Sequence, residues 1–272
     1  MEHVSVQGVD LPKIGLGTWR QTGDDCRRAV ATALELGYRH IDTAQIYGNE
    51  RQVGEALRAS DVDRDEVFLA TKLEGGNRDY DGVLRSTEES LARLGTDYLD
   101  LLLIHWPNRR TPLRKTIDAM NELVDRGTVE NIGVSNFDLD LLAEAREFSS
   151  AQVLTDQVQF HPYWDQTELL DYCSIHDLAL TAYSPLGHGG VLEDEVIRAV
   201  ADDYGKSPAQ VALRWAIQHE NVVAVPKATS REHLAANLEV FDFELSDEEM
   251  ERIRRPSKLR TLSNLVRSRL SV

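Results

Sequence analysis

Lysine is scarce in this chain. Six lysines (Lys13, Lys72, Lys115, Lys206, Lys227 and Lys258) stand among 30 bases, against 46 acids, for a formal net charge of -16. Such a surface repels polyanions and argues against nucleic acid as a partner. An acid-rich, lysine-poor exterior also suits concentrated salt, where the Debye length falls to about 3 Å near 1 M. An ordinary acidic cytosolic enzyme is the other reading of the same balance. Cysteine is nearly absent: Cys26 and Cys173 stand far apart with no CxxC. They read as reduced thiols in a cytoplasmic protein, without metal or disulfide. No run of about 18 apolar residues exists, so no membrane-spanning helix is expected. Residues 1–12 alternate in polarity and include an acid, unlike a signal peptide. No GxGxxG stands between a strand and a helix, which leaves no Rossmann fingerprint.

What is present centres on residues 40–50, HIDTAQIYGNE. A buried strand ends there on Asp42, and a phenol follows at Tyr47 before Gly48 turns the chain into a helix near Glu50. The next two apolar strands also close on ionisable groups, VFLATK on Lys72 and LDLLLIH on His105. These positions are about one strand–helix unit apart.

The periodicities repeat that unit along the chain. Residues 4–6 and 9–11, joined by Gln7-Gly8, predict a hairpin that lids one end of the fold. Strands are expected over 14–19, 39–43, 67–72, 99–105, 130–135, 153–159, 179–184 and 222–226. Helices are expected over 24–36, 50–59, 79–94, 111–126, 138–148, 166–176 and 231–239. Two further helical patterns, 193–204 and 208–219, lie between the last two strands, so one is extra. A chain of 272 residues admits two small domains or one barrel. With no linker-like composition shift, eight strands alternating with helices predict one α/β domain, a (β/α)8 TIM barrel with an N-terminal hairpin and extra helices near the C-terminal end. An open sheet would leave two edges.

In such a barrel the carboxyl ends of the strands share one face. Here they carry Asp42, Lys72, His105, Ser135-Asn136, Gln157, Tyr183 and Lys227. Turn chemistry alone favours Gly, Asn, Asp and Ser, not Lys, His and Gln. Of the eight histidines, His105 and His161 are near strand ends, which is no metal-ligand set.

At these residues the chain resembles the aldo-keto reductase superfamily over nearly its whole length. The matching stretches are GLGTW (15–19), GYRHIDTAQIYGNE (37–50), ATK (70–72), LIHWP (103–107), IGVSNF (132–137), DQVQFHPY (156–163), AYSPLG (182–187) and VPKA (225–228). The blocks are most similar to the short prokaryotic branch that includes 2,5-diketo-D-gluconate reductases. The resemblance implies a monomeric barrel that uses NADP(H) to interconvert small or sugar-derived carbonyl compounds and alcohols.

By the same resemblance Tyr47 is the general acid. A free phenol titrates near ~10 and donates poorly, so a neighbouring Lys72 cation is expected to lower it, with Asp42 orienting the lysine. His105 polarises the carbonyl or relays the proton. The resemblance puts the nicotinamide carboxamide on Ser135, Asn136 and Gln157, stacks Tyr183 on the ring, and has Ser184 and Leu186 begin the pyrophosphate loop. It puts the 2′-phosphate and adenine near Lys227, Ala228, Thr229, His233 and Asn237. There the family form, approximately PKSxxxxRxxEN, reads PKATSREHLAAN, so His233 replaces an Arg and forfeits a bidentate contact. NADPH is expected with a weakened preference, and NADH as the weaker alternative. Arg231 either substitutes or is a surface charge.

Trp19 and Trp106 match apolar pocket walls, whereas Glu74-Gly75-Gly76 stands where relatives often carry Trp. That change opens the pocket or makes it more polar. Residues 254–272 carry six bases and no acid. They form either a basic flap that favours anionic carbonyl substrates or a tail docked on the acidic body. A rival from another class is a catalytically silent NADP-binding barrel that regulates a partner; the four retained polar residues argue against it.

Overall fold

The computed structural model describes residues 2–108, 111–164 and 166–254. The basic tail beyond Arg254 therefore lies outside the described residues. The chain opens with an antiparallel hairpin of β1 (His3–Val6) and β2 (Val9–Pro12). Gln7 and Gly8 both have positive φ, 50° and 80°, as a two-residue turn of this twist requires.

Eight parallel strands follow in chain order around one sheet: β3 (Leu16–Gly17), β4 (His40–Asp42), β5 (Phe68–Leu73), β6 (Leu99–Ile104), β7 (Val129–Ser135), β8 (Val153–Gln159), β9 (Ala179–Tyr183) and β10 (Val222–Ala224). The sheet closes on itself where Ile14, just before β3, bridges Ala224 in parallel. Gly15 N donates to Ala224 O at 2.9 Å and Ala224 N to Lys13 O at 2.8 Å. Gly17 sits at this seam because a Cβ there would stand 2.5 Å from the Val225 carbonyl oxygen. The result is a (β/α)8 barrel.

Helices α1 (Gly23–Glu35), α2 (Glu50–Ala59), α3 (Tyr80–Leu94), α4 (Leu113–Asp125), α5 (Leu139–Phe148) and α6 (Thr167–Ile175) each follow one strand. Between β9 and β10 lie α7 (Glu195–Tyr204) and α8 (Pro208–Gln218), the extra pair member expected from the periodicity. After β10 come α9 (Arg231–Leu238) and α10 (Asp247–Ile253). The last is an extra helix of the kind expected near the C-terminal end, and Ser246 and Glu249 form its reciprocal capping box.

Strand alternation splits the apolar residues into two clusters. Phe68, Ala70, Leu101 and Leu103 face the barrel interior, where Val4, Val6 and Leu11 of the hairpin plug one end. Leu69, Leu73, Leu102 and Ile104 face the helices. The inward row continues past Phe68 and Ala70 to Lys72. Period-2 geometry thus delivers the lysine to the open mouth, opposite the plugged end.

Between β7 and β8 the register shifts: Val153 pairs with Ile132, but Asp156 pairs with Val134. A shift of this kind re-aims the side chains that follow it. Leu154 belongs to the interior cluster, and Gln157, an odd number of residues later, points inward as well.

Candidate active site

Asp42 ends β4 and Lys72 stands near the end of β5, and the two side chains meet. Lys72 Nζ donates to Asp42 Oδ1 at 2.6 Å and to the Thr43 carbonyl at 2.8 Å, with both side chains buried. The second carboxylate oxygen, Oδ2, accepts from Gln157 Nε2 at 2.8 Å. A buried ion pair without such extra bonds would be poorly compensated for lost hydration. Burial alone pushes the Lys72 ammonium down, but the Asp42 carboxylate and the Tyr47 oxygen outweigh it, so the net direction is up. The lysine is a firm cation.

Tyr47 lies on the loop after β4, in a short 3₁₀ turn (Gln45–Tyr47) ended by Gly48 in the left-handed region. Buried Asn49 fixes this loop. Its Oδ1 accepts from Thr43 Oγ1 at 2.7 Å, and its Nδ2 donates to the Thr18 and Gln21 carbonyls at 2.9 Å each. Glu50 is buried at the start of α2, paired with Arg93 and Thr71 Oγ1 at 2.7 Å each. The Lys72 ammonium is 5.2 Å from the Tyr47 ring centroid. The His105 ring meets the same phenol edge-on, with centroids 5.7 Å apart at 76°. The four residues Asp42, Tyr47, Lys72 and His105 therefore share one mouth.

Their electrostatics differ from the expectation in one respect. Burial pushes the Tyr47 phenol up; Lys72 pulls it down as foreseen, but burial and Asp42 prevail and the net direction is up. His105 is pushed down to about 3, by burial first and then by the Lys72 charge, with Arg78 adding to it against the opposing pull of Asp42. The imidazole is thus neutral throughout the physiological range.

Beside the four lies a polar cluster. Asn136, at φ 62°, donates from Nδ2 to the His105 carbonyl at 3.1 Å and to Ser135 Oγ at 2.9 Å. Its Oδ1 accepts from the Tyr183 hydroxyl at 2.7 Å, while Ser135 Oγ donates to the Gln157 carbonyl at 2.6 Å. Ser135, Asn136, Gln157 and Tyr183 are therefore one connected group. Ser184, also at positive φ (48°), starts the adjoining loop. Its carbonyl accepts from Gly187 N, and that of half-buried Leu186 from Gly189 N, each at 2.9 Å.

Lys227, Thr229 and His233 are exposed around the start of α9, which Ser230 caps by accepting from His233 N at 3.2 Å. Ala228 is buried, and its carbonyl accepts from Gln21 Nε2 at 3.1 Å. Asn237 is also buried, near the Tyr38 hydroxyl, which donates to the Leu234 carbonyl at 3.0 Å, rather than displayed at the surface. Arg231 is paired with Glu35 at 2.7 Å, both well exposed. Trp19 and Trp106 are large exposed aromatics at 41% and 38% accessibility. Glu74 is exposed and its N–H donates to Gln45 Oε1 at 2.8 Å. Among the described residues no three His, Cys, Asp or Glu side chains gather as metal ligands, and no helix is long and apolar enough to cross a membrane.

Residues 13–257 match the model of the Aldo/keto reductase family. The chain belongs to that family. It is 44% identical over 244 residues to an aldo-keto reductase of Mycolicibacterium smegmatis, covering 89% of this chain and 88% of the relative. It is 41% identical over 247 residues to the glyoxal reductase of Bacillus subtilis, covering 90% and 89%. A solved structure assigned as a 2,5-diketo-D-gluconic acid reductase B superposes with a TM-score of 0.92 at 42% identity, covering 93% of this chain and 90% of the other. Aldo-keto reductases are oxidoreductases that act on small carbonyl compounds with nicotinamide cofactors, usually NADPH.

The residues present fit such a cofactor. A planar carboxamide needs donors and acceptors in one place, and the Ser135–Asn136–Gln157 group supplies them. A phosphate needs N–H groups and cations, and the α9 start offers Lys227, Thr229 and a helix N-terminus.

Three neighbours of this candidate site escaped the sequence. Asn49 and Glu50 stand inside the quoted 40–50 stretch, and a polar pair directly before a helix was the available signal. The Gln157–Asp42 bond depends on the β7–β8 shift, which no local pattern announces. Arg78 lies in the loop after β5, where the resemblance lapses, and is buried beside Trp106.

Proposed function

We propose that this aldo-keto reductase reduces small aldehydes and ketones to alcohols at the expense of NADPH, with NADH as a weaker donor. The observation that carries it is the buried Lys72–Asp42 pair at 2.6 Å, with its ammonium 5.2 Å from the Tyr47 ring and His105 against the same phenol. A reduced nicotinamide bound at the mouth supplies the hydride. Everything else falls to the chain's own side chains.

The Tyr47 hydroxyl donates the proton that a developing alkoxide requires. Lys72, held charged by Asp42, stabilises the phenolate left behind; Asp42 is held in turn by Gln157. Neutral His105 keeps an N–H to donate to the carbonyl oxygen, which an oxyanion site needs. Ser135, Asn136 and Gln157 hold the carboxamide, with Gln157 Oε1 free to accept while Nε2 stays on Asp42. Tyr183 packs on the nicotinamide ring, and Ser184 and Leu186 line the pyrophosphate. Lys227, Ala228, Thr229, His233 and Asn237 surround the 2′-phosphate and adenine. Trp19 and Trp106 wall the substrate, with Glu74 giving the rim a polar edge.

The test is Tyr47→Phe, assayed by the absorbance of reduced nicotinamide with glyoxal and short aldehydes, and by nucleotide fluorescence. Turnover should fall about 100- to 10,000-fold while NADPH binding persists. Wild-type rates in the variant would remove Tyr47 from its role. A wild type that binds NADPH tightly but reduces no carbonyl would favour a silent regulatory barrel instead.

A further inference from the structure

Arg78 sits in the loop between Lys72's strand and α3. It is 4% exposed, yet its Nε has no hydrogen-bond partner. Nη1 donates to the carbonyl oxygen of Trp106, the residue after His105, and the Arg78 carbonyl accepts from Thr116 Oγ1 at 2.6 Å. Among the described residues no carboxylate comes within 4.0 Å of the guanidinium.

The other buried cations have carboxylates: Lys72 faces Asp42 at 2.6 Å and Arg214 faces Glu2 at 3.8 Å. Half-buried Arg64 and Arg93 face Asp100 at 2.8 Å and Glu50 at 2.7 Å. Burying a guanidinium on a single carbonyl leaves most of its lost hydration uncompensated. The described residues give this cation no counter-charge, which leaves it available to an anion from outside them.

Its location says what kind of anion. Arg78 lies in the loop after β5, and its Nη1 rests on the carbonyl of Trp106, next to His105, so the guanidinium belongs to the same mouth. The loop around it carries no bulk: a Cβ on Gly75 would stand 3.9 Å from Nη2, and one on Gly76 would meet nothing within 4 Å. Gly75 and Gly76 are exposed, so the donor turned toward this loop is Nη2, and a charge-assisted bond from it suits a carboxylate oxygen.

We propose that Arg78 receives the carboxylate of the substrate, so that carbonyl compounds bearing a carboxylate are preferred over neutral ones. This rests on the reductase function proposed above and names its substrate class.

The experiment compares 4-oxobutanoate with its methyl ester, which keeps the aldehyde and chain but caps the charge with a methyl group, on the wild type, Arg78→Gln and Arg78→Lys. Glutamine retains a donor for the Trp106 carbonyl and deletes the cation. The wild type should favour the carboxylate in kcat/KM. That preference should fall about 10- to 100-fold in Arg78→Gln, mainly through KM, and return in part with lysine. Calorimetric titration with succinate, which cannot be reduced, should show binding to the wild type that weakens by a similar factor in Arg78→Gln. Equal loss on ester and carboxylate would mean that Arg78 only holds Trp106, and would overturn the proposal. So would a wild type indifferent to the charge. A wild type that reduces neither compound sinks the reductase function instead. The succinate titration then still judges Arg78: binding unchanged in Arg78→Gln, or absent from the wild type, refutes it.

Discussion

Gln157 Nε2 donates to Asp42 Oδ2 at 2.8 Å, across 115 residues of sequence. The other oxygen of that carboxylate holds Lys72. The amide of β8 is thus the outer link of a chain that runs through Asp42 and Lys72 to Tyr47. Gln157→Leu removes it and leaves a buried carboxylate oxygen without its donor. Unfolding free energy should fall by about 1–3 kcal/mol. Turnover should fall more than nucleotide binding if the amide acts chiefly through Asp42. Denaturant midpoints and kcat with a fixed aldehyde check both, and a variant with wild-type midpoint and kcat would deny the link any importance.

Much of this site was legible. Period 2 and period 3.6 located the strands and helices, and the inward rows of β5 and β6 carried Lys72 and His105 to the mouth. The barrel follows from unit counting because only closure removes the edges. What stayed hidden depends on relations between segments. Gln157 faces Asp42 only because pairing shifts between Ile132 and Val134. Asn237 stands in a family motif, yet packing buries it near Tyr38. The direction of Tyr47 was misjudged because a Lys neighbour can be inferred from motif order, whereas desolvation depends on everything packed around the ring.

The pH profile of reduction should be flat where an ordinary histidine would bend it. His105, held near 3, stays neutral across the physiological range. The rate should decline only on the alkaline side, as the phenol of Tyr47, raised above its usual 10, loses its proton. Stability moves at the other end. His40 and His219, each pushed down to about 4 by burial, join His105 in resisting protonation when folded. The unfolded chain takes up those protons near ~6.5, so stability is fully present above that pH. It is lost as pH falls toward 3, by at most about 1.4 kcal/mol per pH unit per histidine. Denaturant titrations between pH 4 and 8 measure the slope. An activity bend near 6.5 would contradict the neutral His105.

Asp156 works in the opposite sense. It is wholly buried behind Ser135 and Asn136, and no hydrogen bond of normal geometry reaches either carboxyl oxygen. Burial pushes it up to about 8, against the pull of the nearby Phe137 and Asn136 N–H groups. Folded, it stays protonated while the unfolded chain ionises from 3.8 upward, so its contribution falls as pH rises from there to about 8. Asp156→Asn keeps the shape and removes the titration. The variant should match the wild type near pH 4 and exceed it by roughly 1–4 kcal/mol at pH 8. Urea midpoints at the two pH values decide, and a gain independent of pH would show that ionisation is not the cause.

His233 is the substitution to reverse for cofactor choice. It is exposed beside Lys227 and Thr229 at the start of α9, where an Arg would reach a phosphate through two parallel bonds. Arg231 is engaged by Glu35, though exposed pairs of that kind hold a side chain only weakly. His233→Arg should therefore raise the NADPH-over-NADH ratio in kcat/KM by about 10-fold, through a lower KM for NADPH with kcat little changed. Arg231→Ala separates the two cations. If that variant lowers the ratio as much as His233→Arg raises it, Arg231 leaves Glu35 to take the phosphate, and the wild-type preference is its work. If the ratio does not move, the phosphate is read by Lys227 and the helix start, and the preference should be salt-sensitive, as contacts to an exposed point charge are.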